Sequence, residues 1–179
     1  MGDSQPRRLE ERLAREAGLI VVMCMLAVLQ STLLVTPLGF PPPLLLVLVI
    51  TRLMVAVGAG MPDGGILVAL RWALYGGLAL DIFATTPFGG HALAMLLAAT
   101  VVAFFTRQLR VEGPLLPLLA MFVAALIYEA TLGLIYQLTV APLDWQSYLR
   151  VVMLPSLLTV LIPTLPIFFA MRWAVLRGE

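Results

Sequence analysis

The sequence predicts an all-α polytopic membrane protein with six transmembrane helices and both termini in the cytoplasm. Three observations carry this reading. The chain is 61% hydrophobic and 12% charged, whereas a soluble domain carries about 25% charged residues. Six apolar runs of helical length follow one another, at residues 17–35, 43–59, 64–83, 91–106, 115–138 and 151–173. The arginines collect in alternate connecting segments, which sets orientation. A bilayer core of about 30 Å takes about 20 helical residues. Backbone groups in lipid must be paired within the segment or with neighbouring strands, and runs this long are helices rather than barrel strands.

Residues 1–16 are polar, with Arg7, Arg8, Arg12 and Arg15 around Leu9 and Leu13. Glu11 and Arg15 stand four apart in the order that favours a helix. This segment reads equally as a short helix at the cytoplasmic surface, its arginines near anionic headgroups of membrane lipids, or as a solvated tail. The first run then reads as an uncleaved span, because no small-x-small cleavage site follows it. Residues 17–173 form one membrane domain, and residues 174–179 a cytoplasmic tail.

Arg107 and Arg110 between the fourth and fifth runs, and Arg172 and Arg177 at the end, fall on the same side as the N-terminal arginines. The loops on the other side are short and hold a proline each: Thr36-Pro37-Leu38-Gly39, Thr86-Pro87-Phe88-Gly89 and Ala141-Pro142-Leu143-Asp144. Proline stops a helix and glycine accepts turn geometry, so three helical hairpins are expected. Gly64-Gly65, beside a Pro-Asp pair, read as loop chemistry. In the sixth run Pro155, Pro163 and Pro166 invite kinks, with Ser156, Thr159 and Thr164 placed to bond the freed carbonyls.

Ionisable residues inside spans are costly and need a reason. Arg52 and Arg71 each lie about 10 Å inside the cytoplasmic end of their runs. Snorkelling to headgroups or a structural ion pair accounts for them, with Asp63 as a candidate partner. Asp81, His91 and Glu129, with Arg150 as a candidate fourth member, form a second group towards the other side. Glu129 lies about 13 Å short of the end of its run. Asp81 shares a helix face with Ala73 and Gly77, and Glu129 shares one with Ala125 and Gly133. Small residues at this spacing let helices approach closely, so both carboxylates are expected to face protein. The structural reading is a hydrogen-bonded latch between the third and fourth spans. The functional ones are a site for a partner or ligand and, ranked after it, a proton relay.

The composition excludes several classes. Net charge is +1, which points away from nucleic acid. One cysteine, Cys24, allows no internal disulfide, and it reads as a small hydrophobe. One histidine leaves no metal triad, the serines have no base beside them, and no phosphate-binding glycine motif occurs. No catalytic residue, metal or cofactor is predicted.

The string Asp81-Ile82-Phe83-Ala84-Thr85-Thr86-Pro87-Phe88-Gly89-Gly90-His91-Ala92-Leu93, preceded by Gly76-Gly77-Leu78-Ala79-Leu80, resembles the bacterial rod shape-determining MreD family. The resemblance covers most of the chain in length, span number and termini. It implies a non-enzymatic inner-membrane subunit of the cell-elongation machinery. Such a subunit partners MreC, through its membrane helix and extracytoplasmic part. It works indirectly with MreB filaments, RodA and a class-B penicillin-binding protein in lateral peptidoglycan synthesis. Asp81, Pro87, Gly89 and His91 match the family's pattern. Gly77 lies in the shared glycine-bearing helix end. Glu129, Arg52 and Arg71 fall outside it, and their weight rests on burial. The family also looks like the substrate-binding subunits of energy-coupling-factor vitamin transporters. The alternative is therefore a vitamin-binding subunit, with Trp145 and Tyr148 lining a pocket beside Asp81, His91 and Glu129. A lipid-intermediate transporter using the two intramembrane arginines ranks third.

Overall fold

A computed structural model describes residues 5–32, 43–59, 62–84, 87–106 and 113–177. The first proline turn at residues 36–39, Thr86, and the Arg107 and Arg110 loop lie outside these residues, as do the side chains of Arg7, Arg8, Asp63 and Arg177.

The described residues are all-helical. In order they form α1 (Gln5–Thr32), α2 (Leu44–Gly58), α3 (Pro62–Phe83), α4 (Gly90–Thr106), α5 (Leu115–Thr139), a single turn α6 (Trp145–Tyr148), a π-helical turn (Leu149–Met153) and α7 (Leu154–Arg177). The last three run on without a break. Four helical stretches are long and apolar enough to cross a membrane: Leu9–Thr32, Gly64–Phe83, Leu115–Thr139 and Trp145–Ala174. The helices Leu44–Gly58 and Gly90–Thr106 are apolar but shorter.

Proline sets several helix starts. Pro43 and Pro114 immediately precede α2 and α5. Pro62 opens α3, where its missing N–H is no loss. Gly64 and Gly65 are therefore helical, not loop. Gly65 lies against Ala56, so close that a Cβ would collide with it. This glycine lets α2 and α3 touch near the end of the bundle that holds Gly58. The charged segment before residue 17 does not form a separate helix. No proline interrupts residues 7–32, and α1 continues through as one rod.

α2 is the centre of the bundle. It touches α3, α7, α5, α4 and α1, and Leu45, Leu46, Val47, Val49, Ile50, Leu53 and Met54 are fully buried. α3 carries α1 on one flank and α4 on another, and α5 packs on both α4 and α7. Alanines 94, 98 and 99 of α4 and 120, 124 and 125 of α5 are buried, small residues suited to helix packing without a hydrophobic driving force. Large apolar residues such as Ile20, Leu67, Phe104, Leu119 and Ile162 face outward, as a lipid-facing surface requires.

Pro163 and Pro166 lie inside α7 without ending it. Thr159 and Thr164 donate to the carbonyls of Pro155 and Val160 at 2.7 Å. Those are their own preceding-turn carbonyls, not the ones that Pro163 and Pro166 leave without a donor. Ser156 turns elsewhere, as described below.

Candidate functional site: a polar layer at the helix ends

Asp81 sits two residues before the end of α3 with its side chain buried. Its Oδ1 accepts the His91 backbone N–H at 2.8 Å. Its Oδ2 accepts from Gly89 N at 3.0 Å and Ala92 N at 3.4 Å. These are donors that the first turn of any helix leaves unpaired. The His91 Nδ1 also lies 3.0 Å from Oδ1. An ionised carboxylate has only acceptors, so this contact needs the proton on Nδ1. A negative group at a helix start also opposes the positive end of the helix dipole.

The loop is shaped for this grip. Gly90 N donates to Pro87 O at 3.0 Å, and Gly89 has φ +94°. That is a type II turn, which needs a positive φ at its third residue and so takes glycine there. The turn points the Gly89 N–H at Asp81. Gly77, one turn before Asp81, faces α4. A Cβ there would stand 2.6 Å from Ala92 N and 2.9 Å from the His91 carbonyl carbon. Gly77, Asp81, Pro87, Gly89 and His91 thus make one assembly, and Gly77 and Asp81 are spent on joining α3 to α4.

Glu129 is buried on α5. Its Oε1 accepts from Ser156 Oγ, and its Oε2 lies 3.1 Å from Tyr148 Oη. The same phenol lies 3.0 Å from the Glu129 backbone carbonyl. Among the described residues no cation pairs with Glu129. The His91 ring meets Tyr128 edge-on, centroids 6.2 Å apart. Glu129 is therefore in the same layer as Asp81, and α5 runs ten residues beyond it to Thr139, about 15 Å. Gly133 accommodates the aromatic pair of this extension: a Cβ would lie 3.0 Å from Tyr148 and 3.3 Å from Trp145.

Asp144 caps α6, accepting from Ser147 Oγ at 2.6 Å and Gln146 N at 3.2 Å. These bonds, the one from Ser147 above all, hold its carboxyl below the usual carboxylate range.

The arginines divide. Arg71 pairs with Glu16 at 2.6 Å, and Tyr75 Oη donates to the other Glu16 oxygen at 3.3 Å. The partner is on α1, 55 residues away in sequence; the side chain of Asp63, the expected partner, lies outside the described residues. Arg52 is half-buried on α2 with no described ion pair. Arg150 is exposed in the π turn.

One polar residue has no sequence expectation attached to it. Gln30, buried at the end of α1, accepts from Leu45 N at 3.0 Å. It caps α2 as Asp81 caps α4. In sequence it precedes the first Thr-Pro turn as Asp81 precedes the second, and that parallel is the signal that marks it.

An apolar cavity of about 410 Å³ lies between the far ends of α4 and α5, lined by Val102, Phe105, Leu116, Leu119 and Val123 among others. It is at the opposite end of these helices from Asp81 and Glu129. Among the described residues no three His, Cys, Asp or Glu side chains converge as metal ligands. Compared with known proteins, the chain matches no family, no curated relative and no solved structure.

Proposed function

We propose that this chain is a non-enzymatic membrane scaffold of the MreD type, a multi-pass subunit of the bacterial inner membrane that holds MreC. In this reading the two shorter apolar helices cross the membrane together with the four long ones, and both termini are cytoplasmic. MreB, RodA and a class-B penicillin-binding protein are indirect partners, in lateral peptidoglycan synthesis and cell shape.

The observation that carries the reading is how the polar residues are used. Asp81 and Gln30 are spent on helix starts, and Arg71 on Glu16. The first two stiffen hairpins, and the third ties α3 to α1. The outward faces are apolar, above all on α1, which packs through one side only. A shallow hollow of about 410 Å³ runs along α1 past Val21, Cys24, Met25 and Val28. Such a face suits the membrane helix of a partner, since association in lipid rests on packing.

The test is co-expression with MreC of the same organism, detergent extraction and size-exclusion chromatography. A joint peak that survives removal of the MreC extracytoplasmic part supports a scaffold acting through membrane helices. Separate peaks for the two proteins would overturn it, and a vitamin panel read by thermal shift would come next.

A further inference from the structure

Glu129 has features that a structural cap does not need. It is a carboxyl buried to 7% exposure, it meets two hydroxyls, and both hydroxyls flank a π-helical turn. We propose that Glu129 is a proton-binding site, and that its proton sets the hydrogen bonding of a clasp between α5 and the continuous α6–α7 helix.

The π turn is what makes the clasp. Tyr148 and Ser156 are eight residues apart. In an unbroken α-helix, at about 100° per residue, they would diverge by about 80°. A π turn absorbs one extra residue, so the pair is spaced as seven, within about 20° of one face. Both hydroxyls then reach the same carboxyl. The cause of the turn lies next to it: Pro155 has no N–H to continue the regular ladder, and Leu154 N instead bonds the Leu149 carbonyl five residues back. Single π turns inside helices are frequent at functional sites.

The oxygens permit two hydrogen-bond arrangements. Tyr148 has one proton and two acceptors in reach, the Glu129 backbone oxygen at 3.0 Å and Oε2 at 3.1 Å. With an ionised carboxylate, Tyr148 donates to Oε2 and Ser156 to Oε1. With a protonated carboxyl, Oε2 donates to Tyr148, and Tyr148 donates to the backbone oxygen. Heavy atoms need not move, and every proton has a place in both. A buried carboxyl that lacks a cation is costly in its charged form, so binding a proton relieves a real penalty.

The groups around it are few. Tyr128 is its neighbour on α5. His91 on α4 meets Tyr128, with Asp81 of α3 behind it. Arg150, in the π turn, is exposed and makes no described ion pair with Glu129. On α2 the charged residue is Arg52, several turns away along the bundle.

The experiment is infrared difference spectroscopy of the full-length protein in lipid nanodiscs during a pH titration. A carbonyl band of a protonated carboxylic acid is expected, lost in E129Q and retained in D81N. A tyrosine ring mode should change with the same midpoint. In Y148F that mode change is lost and the carbonyl band titrates with its midpoint moved by about one pH unit, the worth of one hydrogen bond to a charged group. Y148F keeps the carboxyl and serves even if E129Q does not fold. A spectrum with no titrating carboxylic-acid band at Glu129, or a band that titrates while the Tyr148 mode stays constant, would overturn the proposal.

Discussion

Asp81 holds His91 twice, by its backbone N–H at 2.8 Å and by its ring Nδ1 at 3.0 Å, both on one carboxylate oxygen. The second oxygen takes Gly89 and Ala92. One side chain therefore pairs three first-turn or pre-helix donors of α4 and orients the ring that packs on Tyr128. The latch ties α3 to α4 and passes that order on to α5.

Removing it should be expensive. Asp81→Leu leaves buried N–H groups unpaired, at about 1–3 kcal/mol each, and the helix start loses its cap. A drop of about 3 kcal/mol is expected. Asp81→Asn keeps an acceptor and should lose about half as much. Thermal unfolding of the purified protein in detergent checks both. Equal melting temperatures for Asp81→Leu and the parent would show that the latch carries no stability.

Gln30 offers an independent measure of the same device. Gln30→Leu removes the acceptor for Leu45 N and should cost about 1 kcal/mol. Gln30 and Asp81 share no partner, so the double change with Asp81→Asn should add to within about 0.5 kcal/mol. A large departure from additivity would mean that the two hairpins unfold as one coupled unit.

The pair of Arg71 and Glu16 should matter far less. Their side chains are 60% and 37% exposed, and exposed pairs contribute about 0–1 kcal/mol. Arg71→Gln should shift the melting temperature slightly, and added salt should shrink the difference. A loss as large as that of Asp81→Leu would show that the pair is shielded by lipid rather than by water.

The sequence already contained the helices and much of the latch. Long apolar runs and prolines mark the elements, because a lipid-exposed backbone has few ways to pair its own groups. Asp81 and His91 stand ten apart across a Pro-Phe-Gly turn, close enough for local reasoning to join them. What stayed hidden depends on long-range placement. Glu16 looks like part of a solvated tail until α1 packs beside Arg71. Gln30 lies inside the first apolar run, and nothing local marks it as the cap of a later helix. Glu129 meets Tyr148 and Ser156 only because a π turn re-aims both, and no periodicity in the sequence announces that turn. Gly65 differs from its sequence expectation for a related reason: a glycine pair beside a proline has the composition of a loop, while the close approach of Ala56 is a tertiary fact.

Neighbouring glycines on α3 give the sharpest test of the packing. A Cβ on Gly77 would strike the α4 backbone, 2.6 Å from Ala92 N. Backbone cannot step aside as a side-chain end can, so Gly77→Ala must push α3 and α4 apart and stretch the Asp81 bonds. A Cβ on Gly76 would lie 3.5 Å from a Leu45 methyl and 3.7 Å from the Met23 sulfur, which is ordinary contact. Alanine is better than glycine inside a helix by about 1 kcal/mol, so Gly76→Ala should be neutral or stabilising. The two variants have the same composition and differ by one position. If the α3–α4 seam is as close as the structure has it, Gly77→Ala lowers the melting temperature and Gly76→Ala does not. If both variants behave alike, the seam at Gly77 is looser than this packing requires.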